Sequence, residues 1–300
     1  MIVLDLGSNT LRVLAVSCEH LEVLYSYSKV VKTADGLAQS GRISQDAVNR
    51  VIAAIKEAQE AFSFQGHPVK AVTTEALRQA SNSKAVLEEI FTRCAVVFDV
   101  ISGDEEARLT LMAVEHRLHT LSLSPKSFVS IDIGGGSTEV TFKYPHGSVS
   151  KSFPLGIVTL AQSYNSLASI KEALPEKMKS IERFANKQYE VEGKVECFVA
   201  TAGTPTTVMA MKLGQSYMTY NAEEINGQSL DREELDFYLF KLLEMSFEER
   251  ERIVGTGRSD LIAAGILIYQ ALYDVLGFRT GRVIDDGLRE GLALDCCQSL

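Results

Sequence analysis

The apolar positions change period several times along the chain, and each change predicts an element. Residues 2–16, IVLDLGSNTLRVLAV, read as two strands around a tight turn, and residues 21–31, LEVLYSYSKVV, as a third strand of the same sheet. From Ser44, a good N-cap, Val48, Val51, Ile52, Ile55 and Phe62 recur at helical spacing until Gly66 and Pro68 stop the run. A short strand KAVTT follows, then a helical stretch over about Glu75 to Cys94, a buried-type strand VVFDVI, and a helix opened by Ser102 with Glu105 three residues on, a capping-box pattern. The first part therefore reads β-β-β-α-β-α-β-α, a mixed α/β layer fold.

The second part begins in the same way. SFVSIDI, STEVTFK and SVSKSF repeat the three-strand opening, and Asp5, Gly7, Thr10 and Val13 of the first turn answer Asp132, Gly134, Ser137 and Val140 of the second. This is an internal repeat of a whole domain. Beyond it come a helical region to about Tyr189, a strand CFVATAG, a helix after Thr204, helices at about 231–254 and 259–277, a strand GRVID and a last helix LREGLALDCC. The expected domains are residues 1–117 with about 286–300, and 118–285, with Ser122, Ser124 and Pro125 at the join.

Composition narrows the class. Three hundred residues with 46% hydrophobic content are enough for two cored domains. A net charge of −9, with neither half basic, argues against a nucleic-acid or membrane-surface partner. No apolar stretch is long enough to span a membrane. Five cysteines without a CxxC, Cys296 and Cys297 among them as tail thiols, and an N-terminus that starts directly with an apolar strand fit a reducing cytoplasm.

The chemistry lies in the repeated turns. Glycines let successive backbone amides converge on an anion, so each turn reads as a phosphate nest: Ser8, Asn9, Gly135, Gly136 and Ser137 by their amides, with the hydroxyls of Thr10, Ser137 and Thr138. An aspartate at the strand end would repel phosphate alone, so Asp132, with Asp5 as its counterpart, is expected to hold Mg²⁺ or another divalent cation, or to orient a water. The bland alternative is a hairpin that merely needs glycine. At equivalent places in the two turns stand Arg12, a candidate phosphate clamp, and Glu139, a candidate water- or metal-positioning carboxylate; a salt bridge between them is the structural alternative.

The motifs DLGSNTLR (5–12), TTEALRQASN (73–82), ISGDEEARL (101–109), DIGGGSTE (132–139), TAGTPTT (201–207), GRSDLIAAG (257–265) and DDGLREGLAL (285–294) resemble, in order, those of the exopolyphosphatase/guanosine pentaphosphate phosphohydrolase family. The resemblance implies the actin-like ATPase superfamily: two ribonuclease H-like α/β domains with mixed sheets, an interdomain cleft holding the site, and a last helix returning to the first domain. It assigns Glu106 as catalytic base and places Arg78 at the family's basic residue near the cleft; Arg78, and Gly134 of the glycine turn, are expected to bind phosphate. It makes a homodimer reasonable. Acidic neighbours and desolvation are expected to help Glu106 accept a proton; Asp104 and Glu105 read as first-turn acids, Glu105 as the capping-box member. The TAGTPTT segment is either a structural turn or a ligand loop. Arg258 with Asp260, and Arg289 with Glu290, read as pairs that maintain the fold. His116 and His119 read as solvent-facing, Met209 and Met211 as packing.

The expected activity is release of terminal phosphate from polyphosphate. Guanosine pentaphosphate is the alternative substrate. A superfamily kinase or ATPase, or a silent polyphosphate or alarmone sensor, are the alternatives of other classes.

Overall fold

The computed structural model describes residues 1–259 and 261–299. The chain divides into two units, Met1–Ala113 with Leu288–Leu300, and Val114–Gly287. In the first unit β1 (Ile2–Leu6), β2 (Thr10–Val16) and β3 (Val23–Val30) are followed by α1 (Leu37–Ser40), α2 (Gln45–Ala61), β4 (Val69–Thr73), α3 (Glu75–Gln79), α4 (Ser83–Cys94) and β5 (Phe98–Val100). Helix α5 (Gly103–Thr120) begins in the first unit and ends in the second. The expected boundary at 117/118 lies later than the observed division, which falls inside this continuous helix rather than at the Ser/Pro segment after it.

The second unit holds β6 (Phe128–Ile133), β7 (Thr138–Tyr144), β8 (Gly147–Phe153), α6 (Ile157–Ser163), α7 (Leu167–Glu192), β9 (Cys197–Ala200), α8 (Gly203–Lys212), a 3₁₀ turn (Tyr217–Thr219), α9 (Ala222–Ile225), β10 (Ser229–Asp231), α10 (Arg232–Glu244), α11 (Phe247–Val254), α12 (Ile262–Leu276) and β11 (Thr280–Val283). Helix α13 (Leu288–Gln298) returns to the first unit.

The two sheets repeat one plan. The first runs β3-β2-β1-β4-β5, and the second, read from the equivalent edge, β8-β7-β6-β9-β11-β10. In each, the opening strand pairs antiparallel with the second and parallel with the fourth, so both sheets are mixed and both are flanked by helices. The register repeats too: Asp5 lies opposite Arg12, and Asp132 opposite Glu139.

Each unit buries its own core. In the first, Ile2, Leu4, Leu6 and Leu11 pack with Ile52 and Ile55 of α2. In the second, Phe142, Phe198, Tyr269 and Tyr273 are the largest fully buried side chains. The other face of the first sheet, Val3, Leu14 and Val72, is covered by Leu288, Leu292 and Ala293 of α13. Burying each of those leucines contributes roughly 1.5–3 kcal/mol before entropy is counted. Helix α13 also lies tight against α5, where a Cβ on Gly291 would meet the Leu109 carbonyl oxygen at 1.8 Å.

Three expectations change. The stretch Glu75–Cys94 is two helices, because Ser81 donates to the Gly41 carbonyl and Asn82 exchanges side-chain hydrogen bonds with both backbone groups of Ile43. The stretch 231–254 is likewise two helices, each opened by its own capping box, Asp231 with Glu234 and Ser246 with Glu249. And Cys297 is no idle tail thiol, since it forms a disulfide with Cys18 in the β2–β3 connection and so pins the end of α13 to the first unit. Ser44 caps α2 as expected, accepting from the Ala47 amide. No helix among the described residues is long and apolar enough to cross a membrane.

Candidate active site

Because directly opposed residues on antiparallel strands share a face, the register places three side chains in a row on each sheet: Asp5, Arg12 and Ser28 in the first unit, Asp132, Glu139 and Ser152 in the second. At the end of each row the chain turns. The Gly7 amide donates to the Thr10 carbonyl at 3.0 Å, and the Gly134 amide to the Ser137 carbonyl at 2.9 Å, so the two turns close alike. Among the described residues the amides of Ser8, Asn9, Gly135 and Gly136 donate to no protein oxygen, as a nest for anion oxygens requires.

The rows differ in charge. Arg12 Nη1 stands 3.9 Å from Asp5 Oδ2, and Asp5 is buried. Asp132 instead faces a second carboxylate, Glu139, which is 2% exposed and accepts at Oε1 from Ser152 Oγ at 2.7 Å. Asp5 thus stands beside a guanidinium, where Asp132 stands beside a carboxylate. Two adjacent carboxylates are a donor set that fits a hard divalent cation, and Mg²⁺ is commonly held by one or two carboxylates with water and substrate oxygens completing the shell. Among the described residues no three His, Cys, Asp or Glu side chains gather as a metal set, so protein oxygens alone would not fill that shell.

Thr138 departs from its expected place at the phosphate. It is fully buried on the face opposite Glu139, and its hydroxyl donates to the Leu155 carbonyl, so it ties β7 to the loop before α6 and does not face a phosphate. Ser137 is buried and Thr10 partly so at the turn ends.

The GGG turn has a support that the sequence did not reveal. The amides of Ile157, Val158 and Thr159, in the first turn of α6, donate to the carbonyls of Gly134 and Gly135 at 2.8–3.2 Å. Gly156 permits this: a Cβ there would lie 2.3 Å from the Gly135 oxygen and 2.4 Å from the Gly136 carbonyl carbon. The turn is therefore oriented by α6, with the carbonyls of Gly134 and Gly135 spent on that helix. Behind β6, the Tyr269 hydroxyl donates to the Thr201 and Ile131 carbonyls at 2.5 and 3.2 Å; burial first, and then Asp132, hold its phenol well above its ordinary range.

In the first unit Glu106 is the acid of 104–106 that is buried, while Asp104 is exposed. Ser102 Oγ accepts from the Glu105 amide, but the Glu105 carboxylate goes to Arg108 rather than back to the cap, so the capping box is only half formed. Glu106 meets a cation: Arg78 Nη1 donates to Glu106 Oε2 at 3.0 Å. The same guanidinium donates to Glu75 Oε2 at 2.8 and 3.0 Å and to the Ile101 carbonyl at 2.7 Å. Burial works against the Arg78 charge, but Glu106 and Glu75 outweigh it and raise its proton affinity. Arg78 is thus a strut between α3 and the start of α5, with Glu75 as a member that the motif did not single out.

In the TAGTPTT segment, Thr206 and Thr207 donate to the Ala202 and Gly203 carbonyls, and Thr201 to Ile131, so these hydroxyls serve the local backbone. The Arg258 guanidinium lies about 3.8 Å from where a Gly203 Cβ would stand; Asp260 lies outside the described residues. Arg289 pairs with Glu290 and also reaches Ser26 Oγ. His116 and His119 are exposed, and Met209 and Met211 pack on the second core.

Comparison with known proteins finds similarity over nearly the whole chain. Exopolyphosphatase 1 of Mycobacterium tuberculosis is 27% identical over 310 residues, covering 97% of this chain and 86% of the relative. A crystal structure of the Aquifex aeolicus Ppx/GppA family member superposes with a TM-score of 0.73 at 26% identity, covering 99% of this chain and 97% of that one. An exopolyphosphatase from Cytophaga hutchinsonii shares the fold with a TM-score of 0.86 at 19% identity, covering 100% and 98%. Residues 13–300 match the Ppx/GppA phosphatase family as a whole, and the chain belongs to that family.

Proposed function

We propose that the chain is a phosphoanhydride hydrolase that releases terminal inorganic phosphate from polyphosphate. The observation that carries this reading is the duplicated turn with unlike charge: an amide nest beside Arg12 in one unit, an amide nest beside the Asp132–Glu139 pair in the other. The first suits the anionic phosphoryl oxygens, the second the cation that such a group brings with it. Membership of the Ppx/GppA family and relatives named exopolyphosphatase support it.

In this mechanism Glu106 takes a proton from a water whose oxygen attacks the terminal phosphorus. The new P–O bond forms as the bridging P–O bond breaks, and phosphate leaves with the shortened chain as the other product. Arg78 holds Glu106 in place, and Glu139 is the second carboxylate of the proposal, positioning water or cation. Asp132 and Glu139 would hold the divalent cation, Mg²⁺ in the simplest case, which when bound neutralises charge on the phosphoryl oxygens. The amides of Ser8, Asn9, Gly135, Gly136 and Ser137, with Arg12 and Thr10, bind and align the phosphoryl groups; positioning and charge neutralisation supply most of the rate. A homodimer comes with the family resemblance; the cytoplasmic location read from the cysteine set is opposed by the Cys18–Cys297 disulfide.

The test is phosphate release from long-chain polyphosphate and from guanosine pentaphosphate in parallel, with a divalent cation. The expected result is a kcat/KM for polyphosphate at least about tenfold higher, or about 1.4 kcal/mol of transition-state preference. The reverse ratio would make the chain a guanosine pentaphosphate phosphohydrolase, and binding of both without release would leave a sensor.

A further inference from the structure

Glu139 stands in the middle of a row, with Asp132 on one side and Ser152 on the other. A carboxylate on a three-torsion side chain has several orientations open to it, and burial alone does not choose among them. Ser152 Oγ donates to Glu139 Oε1 at 2.7 Å, a short hydroxyl–carboxylate bond of the charge-assisted kind. We infer that Ser152 is a positioning residue for the proposed hydrolysis: its hydroxyl fixes the plane of the Glu139 carboxylate and so aims the oxygen that acts on water or cation. The inference rests on the reading of Glu139 as part of the reacting site.

The row itself is a repeated feature, since Ser28 stands opposite Arg12 as Ser152 stands opposite Glu139. The next step along the same face provides a comparison. There Thr141 Oγ1 and Ser150 Oγ lie 2.9 Å apart across β7 and β8, a hydroxyl pair with the same strand placement and no carboxylate. A purely structural need for hydroxyls on this face would weigh on Ser150 as on Ser152. A positioning role would weigh on Ser152 alone.

The experiment measures kcat, KM and melting temperature for S152A, S152T, S150A and E139Q. The expected result is a kcat 10–100-fold lower in S152A, about the cost of losing the partner that orients a site carboxylate. KM should stay within about threefold, S152T should recover most of the loss by keeping the hydroxyl, and S150A should turn over as the unaltered protein does. An S152A variant with unchanged kcat beside an inactive E139Q overturns the inference and leaves the functional reading standing. Equal losses of activity and melting temperature in S152A and S150A also overturn it, by making the role structural. An E139Q variant that turns over normally overturns the role of Glu139, and that of Ser152 with it.

Discussion

Replacing Glu106 by glutamine is expected to lower kcat for phosphate release by about 10³-fold while leaving KM within about threefold. Removing a positioned general base costs typically 10²–10⁴ in rate, and glutamine keeps the size of the side chain and an oxygen that can still accept from Arg78. That last point separates chemistry from stability. Deleting one partner of a buried ion pair outright costs about 3–5 kcal/mol because the other charge is stranded; here Arg78 retains Glu75 and the Ile101 carbonyl whatever stands at position 106. The variant should therefore fold, bind polyphosphate and fail at the chemical step. Steady-state kinetics with a melting curve check this, and turnover within about tenfold of the unaltered protein would remove Glu106 from the role of base.

The second large effect concerns a residue with no reactive group. Gly156→Ala places a methyl carbon 2.3 Å from the Gly135 carbonyl oxygen and 2.4 Å from the carbonyl carbons of Gly135 and Gly136. All three are backbone atoms, so no side chain can swing away. Gly156 has φ −122° and ψ 162°, which any residue adopts, so the requirement is one of space alone. Either the GGG turn or the start of α6 must move by about an ångström. A displacement of that size at a site that works by alignment costs on the order of 10²-fold in rate. The expected result for G156A is a kcat/KM at least about 10²-fold lower, accompanied by a fall in melting temperature. Near-normal activity would show that the GGG turn tolerates displacement, against the mechanism above.

The sequence made the duplication legible because its signals are local. Period-two apolar runs flank both glycine turns, and the aspartates keep the same distance from their glycines; the in-register pairs Asp5/Arg12 and Asp132/Glu139 follow from that. The same alternation also held an unused signal. If Glu139 faces the site, Thr138 one residue earlier must face away, and it does.

What escaped depended on contacts distant in sequence. The break between α3 and α4 has no proline or glycine, and arises because Ser81 and Asn82 bond to residues about 40 positions earlier. Nothing near Gly156 announces that it abuts Gly135. The Arg78–Glu106 contact joins two motifs that the sequence had given separate roles, and the Cys18–Cys297 pairing spans 279 residues. Pairing of cysteines in general cannot be deduced from their order.

The most direct measurement of the central claim, attack of water on a terminal phosphoryl group, is turnover of polyphosphate in water enriched in oxygen-18, with the products read by mass spectrometry. The account predicts that each released phosphate carries one oxygen from water and that the shortened chain carries none. Label in the shortened chain, or phosphate transferred unlabelled to an added acceptor, would contradict it.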